Sequence, residues 1–182
     1  MASQINICFI GGTNSGKSTF LRTHLKGQDA TIPTHNPTMG LEVSPLVIDT
    51  NIGTFQVNVW DMAGDRRFHG LRTYPRNGVG AIAFYTKDTL EETNAQIKDY
   101  QQEYPNAKIV NVWNKSDNVV ERKFFEESKL EITHQGGHPT YQVTSHEISP
   151  RPFQELLQQV TTHYPISITH MHVPQSLQHA TI

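Results

Sequence analysis

An apolar run at residues 5–10 (INICFI) passes directly into Gly11-Gly12-Thr13-Asn14-Ser15-Gly16-Lys17-Ser18. This matches the phosphate-binding pattern G-x-x-x-x-G-K-S/T, and a helix-like stretch follows it at residues 17–26. Strand, loop and helix in that order constrain the fold strongly. The glycines let backbone N–H groups of Thr13, Asn14, Ser15, Gly16 and Thr19 turn inward around phosphate oxygens. A helix N-terminus behind them adds partial positive charge. Lys17 is placed to reach terminal phosphates, and Ser18 to offer its hydroxyl to Mg²⁺. A plain Gly/Ser turn with this spelling would need neither the strand nor the helix.

Downstream, apolar runs alternate with helical patterns, the signature of a parallel sheet with crossover helices. Strands are expected over 5–10, 41–48, 55–61, 80–86, 108–113 and 140–144. Helices are expected over 17–26, 66–74, 90–104, 122–130 and 151–163. In the last of these, Phe153, Leu156, Leu157 and Val160 share one face, and Ser149-Pro150-Arg151-Pro152 marks its start. The pair 41–48 and 55–61 flanks a turn-like stretch containing Gly53 and reads as a hairpin. The expected fold is α/β: six mostly parallel strands, one antiparallel strand at the edge, and helices on both faces. Residues 1–164 form the domain. Residues 165–182, with His170, His172 and His179, read as a flexible tail, and its histidines more readily as solvated side chains than as metal ligands. Residues 27–37 also read as loose.

A chain of 182 residues suits one domain with a full core. Its formal net charge of −2 does not point to nucleic acid as a partner. The single cysteine, Cys8, excludes a disulfide within the chain and reads as a small core residue. No apolar stretch is long enough to span a bilayer, and no lipid anchor is expected from either terminus.

Three further motifs narrow the chemistry. Asn114-Lys115-Ser116-Asp117 follows the run 109–113. Guanine offers donors at N1 and the 2-amino group, which a carboxylate can take together; adenine lacks the pair. Asp117 suits that role, and Asn114 and Lys115 would hold and cover the base. Trp60-Asp61-Met62-Ala63-Gly64 ends the strand 55–61. Asp61 can reach Mg²⁺ through water, and the Gly64 N–H can meet a γ-phosphate. Thr38, in Pro37-Thr38-Met39-Gly40, can close on the same metal and phosphate. The expected ligands are GTP or GDP with Mg²⁺, the metal served by Ser18, Thr38 and Asp61.

Taken together these residues resemble a small GTPase of the Ras superfamily, and its Ran branch above others. The closest stretch is PTMGLEVSPLVIDTNIGTFQVNVWDMAGDRRFHGLR, residues 37–72, with NVWNKSD and the last helix extending the likeness to about residue 165. The resemblance implies a GTP/GDP switch and GTP hydrolase, with Lys17, Thr38, Gly64 and Asp65 as catalytic positions. It implies that Thr144, Ser145 and His146 form the loop whose backbone meets the guanine carbonyl. It also implies a monomer in nucleus and cytoplasm, acting in protein transport with importin-type or exportin-type receptors as effectors.

The chain departs from that family pattern at telling places. Asp65 stands where most members carry the glutamine that orients the attacking water. An anionic side chain one methylene shorter faces repulsion there, and slow hydrolysis is the expectation. Thr13 and Asn14 replace glycines, and the Thr13 side chain would crowd the same space. A GTP-binding interaction module or decoy with little hydrolysis is therefore the rival reading. A P-loop kinase or ATPase is opposed by the Asn114-Lys115-Ser116-Asp117 motif. The stretch 27–38 holds no aromatic residue to pack on the base. The segment after Asp117 mixes charges, and no acidic run closes the chain, which weakens the carry-over of transport partners.

Overall fold

The computed structural model describes residues 4–26, 40–64, 74–134 and 137–174. Its elements run β1 (Gln4–Gly11), α1 (Lys17–Lys26), β2 (Leu41–Thr50), β3 (Gly53–Met62), β4 (Gly78–Tyr85), α2 (Leu90–Glu103), β5 (Lys108–Trp113), α3 (Val119–His134), β6 (Thr140–Gln142), α4 (Arg151–Thr161) and β7 (Ile168–His172). The sheet order is β6-β5-β4-β1-β3-β2-β7. Strands β1, β3, β4, β5 and β6 are mutually parallel along this order, while β2 is antiparallel to both of its neighbours.

Burial on both faces explains why β1 reads as a nearly continuous apolar run. Its residues alternate between two cores. Ile5, Ile7 and Phe9 join Phe20, Phe84, Phe153 and Leu156 under α1 and α4. Cys8 and Ile10 join Ile97, Tyr100, Trp113 and Phe125 under α2 and α3. Helices thus cover both faces, as the alternating pattern requires. Cys8 is fully buried, and burial pushes its thiol up to about 12, which fits a packing residue without thiolate chemistry.

Among the described residues the sheet has seven strands, not six. The seventh, β7, lies in the segment expected to be a loose tail, so that expectation is corrected for residues 165–172. It pairs with Val47 to Thr50, and β2 is accordingly one strand in from the edge there. The anchor is the hairpin turn. Asn51 donates through Nδ2 to the Pro165 carbonyl at 3.1 Å and accepts from the Ser167 N–H at 2.8 Å, while its own N–H donates to the Ser167 carbonyl at 3.1 Å. Ile166 is buried in the α1/α4 core, and Ile168 and Met171 pack against it. A five-residue strand with two histidines has too weak an alternation to read as a strand, and its partners are more than 100 residues away.

Smaller boundary shifts have local causes. Helix α3 begins before residue 122 because the Asn118 side chain caps it, with Oδ1 accepting from the Val120 N–H at 2.8 Å. Strand β6 stops at Gln142, short of the expected 144. The helix expected at 66–74 and the loose stretch expected at 27–37 lie outside the described residues, apart from Tyr74.

Helix α1 carries a titratable group into the core. The His24 ring packs on Phe20, centroids 4.3 Å apart, and on Phe153 at 5.6 Å. Its Nε2 accepts from the Ser149 N–H at 3.0 Å, which leaves Nδ1 to donate to the Phe20 carbonyl at 2.8 Å. That geometry assigns the neutral tautomer. Burial, the main cause, lowers the His24 pKa below its ordinary value of 6.5. The unfolded chain then binds a proton that the native chain refuses. Stability should fall as pH drops below about 6.5 and level off once the native imidazole also titrates. Urea midpoints measured between about pH 7.5 and 5.5 should decline more steeply in wild type than in His24→Gln; equal slopes would show that His24 contributes nothing to the pH dependence.

Candidate nucleotide site

The five parallel strands end at one rim. Successive connections leave β1 toward β3 on one side and β4 on the other, so the carboxyl end of β1 is the topological switch point, where open α/β sheets form their ligand crevice. The segment 11–18 lies there. Its turn needs two left-handed residues, Asn14 at φ 63° and Gly16 at φ 90°. Asparagine tolerates that conformation. At Gly16 space also forbids a side chain, since a Cβ would overlap the Asn114 amide.

Lys17 folds back into the loop. Its Nζ donates to the Gly11 carbonyl at 2.7 Å, the Gly12 carbonyl at 3.1 Å and Ser15 Oγ at 3.3 Å. These bonds hold a buried ammonium, 6% exposed, inside the ring of loop carbonyls. Beside it, the Ser18 hydroxyl donates to Asp61 Oδ2. The other carboxylate oxygen, Asp61 Oδ1, is buried with no hydrogen-bond partner. Burial pushes the Asp61 carboxyl above its usual range, opposed by the Lys17 charge and the Ser18 hydrogen bond. A buried oxygen without a partner, next to a serine hydroxyl, is a hard donor set that fits Mg²⁺. Ser18 and Asp61 would hold the ion and place its charge against the phosphates.

Gly64 packs directly on the loop, where a Cβ would overlap the Gly12 carbonyl and the Thr13 nitrogen. Thr38 and Asp65 lie outside the described residues.

The second half of the site is a cleft of about 390 Å³ lined by Asn14, Gly16, Thr19, Asn114, Lys115, Asp117, Asn118, Ser145 and His146. Its floor is a buried network. Asn114 Nδ2 donates to the Ser15 carbonyl at 2.7 Å and to Ser145 Oγ, and Ser145 Oγ donates to the Gly16 carbonyl at 3.2 Å. Thr23 Oγ1 in turn donates to the Ser145 carbonyl at 2.7 Å. The Ser145 hydroxyl therefore ties the 144–146 loop to the phosphate loop, a link that alanine could not make. Asp117 is exposed in the cleft, and Thr144 Oγ1 donates to its Oδ1 at 3.3 Å. Lys115 adopts φ 59°, which turns the chain between strand and cleft. His146 is exposed at the rim. The structure thus brings the phosphate loop, Asp61, Gly64, the 114–117 motif and the 144–146 loop to one place.

Two supporting residues carry no sequence motif. Thr93 Oγ1 accepts from the Gly12 N–H at 3.2 Å and donates to the Phe84 carbonyl at 3.0 Å. Gln96 Oε1 accepts from the Gly11 N–H at 3.0 Å. Both stand on the buried face of α2, where sequence periodicity marks a helix and nothing more.

A family model described as Roc, "Ras of Complex, Roc, domain of DAPkinase", matches residues 6–117. That span runs from β1 through the phosphate loop and the Asp61–Gly64 turn to Asp117, and covers more than half of the 182 residues. With the α/β fold and this crevice, the match makes the chain a member of the Roc family of Ras-like GTPase domains, a family that binds guanine nucleotides.

Proposed function

We propose that this protein is a GTP/GDP-dependent switch with Mg²⁺ as cofactor and slow intrinsic hydrolysis. The observation that carries the reading is the convergence of Lys17, Ser18 and Asp61 at the phosphate end of one crevice with Asp117 at the other. In this reading the Asp117 carboxylate accepts from the guanine N1 and 2-amino donors. The loop N–H groups and Lys17 bind the phosphates. Thr38 and Gly64 close on the γ-phosphate and release when it is lost.

Slow turnover is assigned to Asp65. A carboxylate cannot donate to the γ-phosphate, and its charge opposes approach to a triphosphate. The Thr13 side chain, where the family carries glycine, is the second contributor, through crowding of the catalytic space. Single-turnover hydrolysis should speed up about tenfold or more in Asp65→Gln, a barrier change of ~1.4 kcal/mol or more. Equal rates would remove Asp65 as the cause. The related reading, a GTP-binding module or decoy that scarcely hydrolyses, rests on the same two residues and predicts intact GTP retained after purification.

The effector class we propose is an importin-type or exportin-type transport receptor, with the protein moving between nucleus and cytoplasm as a monomer. The support is the likeness of residues 37–72 to the Ran branch. A transport receptor of this type should bind the form loaded with a non-hydrolysable GTP analogue at least about fivefold more tightly than the GDP form, the range of ordinary allosteric coupling. Equal binding of the two forms, or none, would overturn this assignment and leave the nucleotide site untouched.

A further inference from the structure

We infer that Gln96 is a positioning residue that favours the triphosphate over the diphosphate by holding Gly64 against the phosphate loop. The inference rests on the guanine-nucleotide reading above and extends it to a residue that binds no nucleotide. Gln96 stands in α2, 2% exposed, between two segments that belong to opposite halves of a switch. Its Oε1 accepts from the Gly11 N–H at 3.0 Å, at the end of β1. Its Nε2 donates to the Gly64 carbonyl at 3.4 Å. One planar amide therefore spans the fixed loop and the residue whose N–H is to meet the γ-phosphate. No acidic or aliphatic side chain of this length can make both bonds, because the amide alone carries an acceptor and a donor at the required ends.

The bond from Nε2 fixes the Gly64 carbonyl. The N–H groups of Gly11 and Gly12 are taken by Gln96 and Thr93, so α2 braces this end of β1 through both side chains. Gly64 is thus held by Gln96 where it packs on Gly12 and Thr13. A ligand that must order this residue loses less entropy when the residue is already in place. The diphosphate does not reach Gly64 and gains nothing from the arrangement. A merely structural role in the loop would alter both affinities alike, so the ratio of the two is the diagnostic quantity.

Two substitutions separate the bonds. Gln96→Glu keeps an acceptor for Gly11 but cannot donate to Gly64; Gln96→Met removes both. Dissociation constants for GDP and a non-hydrolysable GTP analogue would be measured with Mg²⁺ on wild type and both variants. In each variant the preference for the analogue over GDP should fall about tenfold. An unchanged preference, whether or not both affinities weaken together, overturns the proposal. Should neither variant fold, proton exchange of the Gln96 side-chain amide in wild type decides. Slower exchange with the analogue than with GDP supports the inference, and equal exchange overturns it. Wild type that binds neither nucleotide overturns the site reading itself, whereas wild type that binds both while the variants keep its preference overturns this inference alone.

Discussion

Lys17 and Asp61 are buried charges of opposite sign at one rim, 6% and 1% exposed. An ion held away from water needs partners close enough to replace its hydration. For Lys17 those partners are the carbonyls of Gly11 and Gly12 and the Ser15 hydroxyl, so the loop must wrap the ammonium to exist in this form. For Asp61 the compensation is incomplete, with one oxygen on Ser18 and the other without a hydrogen-bond partner. The Lys17 charge favours the ionised carboxylate while burial disfavours it. Such a site holds latent demand for a cation at one end and an anion at the other. A magnesium nucleotide supplies both.

The rest of the fold serves to present these charges. The parallel strands deliver Gly11, Met62, Tyr85 and Trp113 to the same rim, and the loops that follow them carry every motif of the crevice. Helix α1 supports the guanine side through Thr23 and His24, which hold Ser145 and Ser149 by their backbones. Helix α2 supports the phosphate side through Thr93 and Gln96. The crevice is thus braced from both faces of the sheet.

How much of this was legible beforehand follows from how each feature is encoded. The phosphate loop, Asp61-Met62-Ala63-Gly64 and Asn114-Lys115-Ser116-Asp117 are local strings, and the structure brings them together. The central strands were equally legible, because burial on both faces leaves an unbroken apolar run. Strand β7 was not, since its order comes from Asn51 and from Ile166 in the distant core, contacts that no local pattern records. Thr93 and Gln96 were hidden for a related reason. Polar residues on a buried helix face look like weak amphipathicity until the loop N–H groups they serve are placed opposite them. Ser145 was legible as part of the 144–146 loop, but the bonds of its hydroxyl to Asn114 and Gly16 were not. Thr38 and Asp65 lie outside the described residues, and their roles rest on the motifs alone.

The central claim is that one crevice reads guanine through Asp117 and phosphate through Lys17 with a cation at Ser18 and Asp61. Competition against a fluorescent guanine nucleotide, run with Mg²⁺ and again with the metal chelated, tests it most directly. GTP and GDP should displace the probe at concentrations about a thousandfold below ATP, because a carboxylate that the bound base covers and adenine leaves unpaired discriminates on that scale or more. The affinity for GTP should fall when Mg²⁺ is removed. Displacement by ATP as readily as by GTP, or binding indifferent to the metal, would contradict the account.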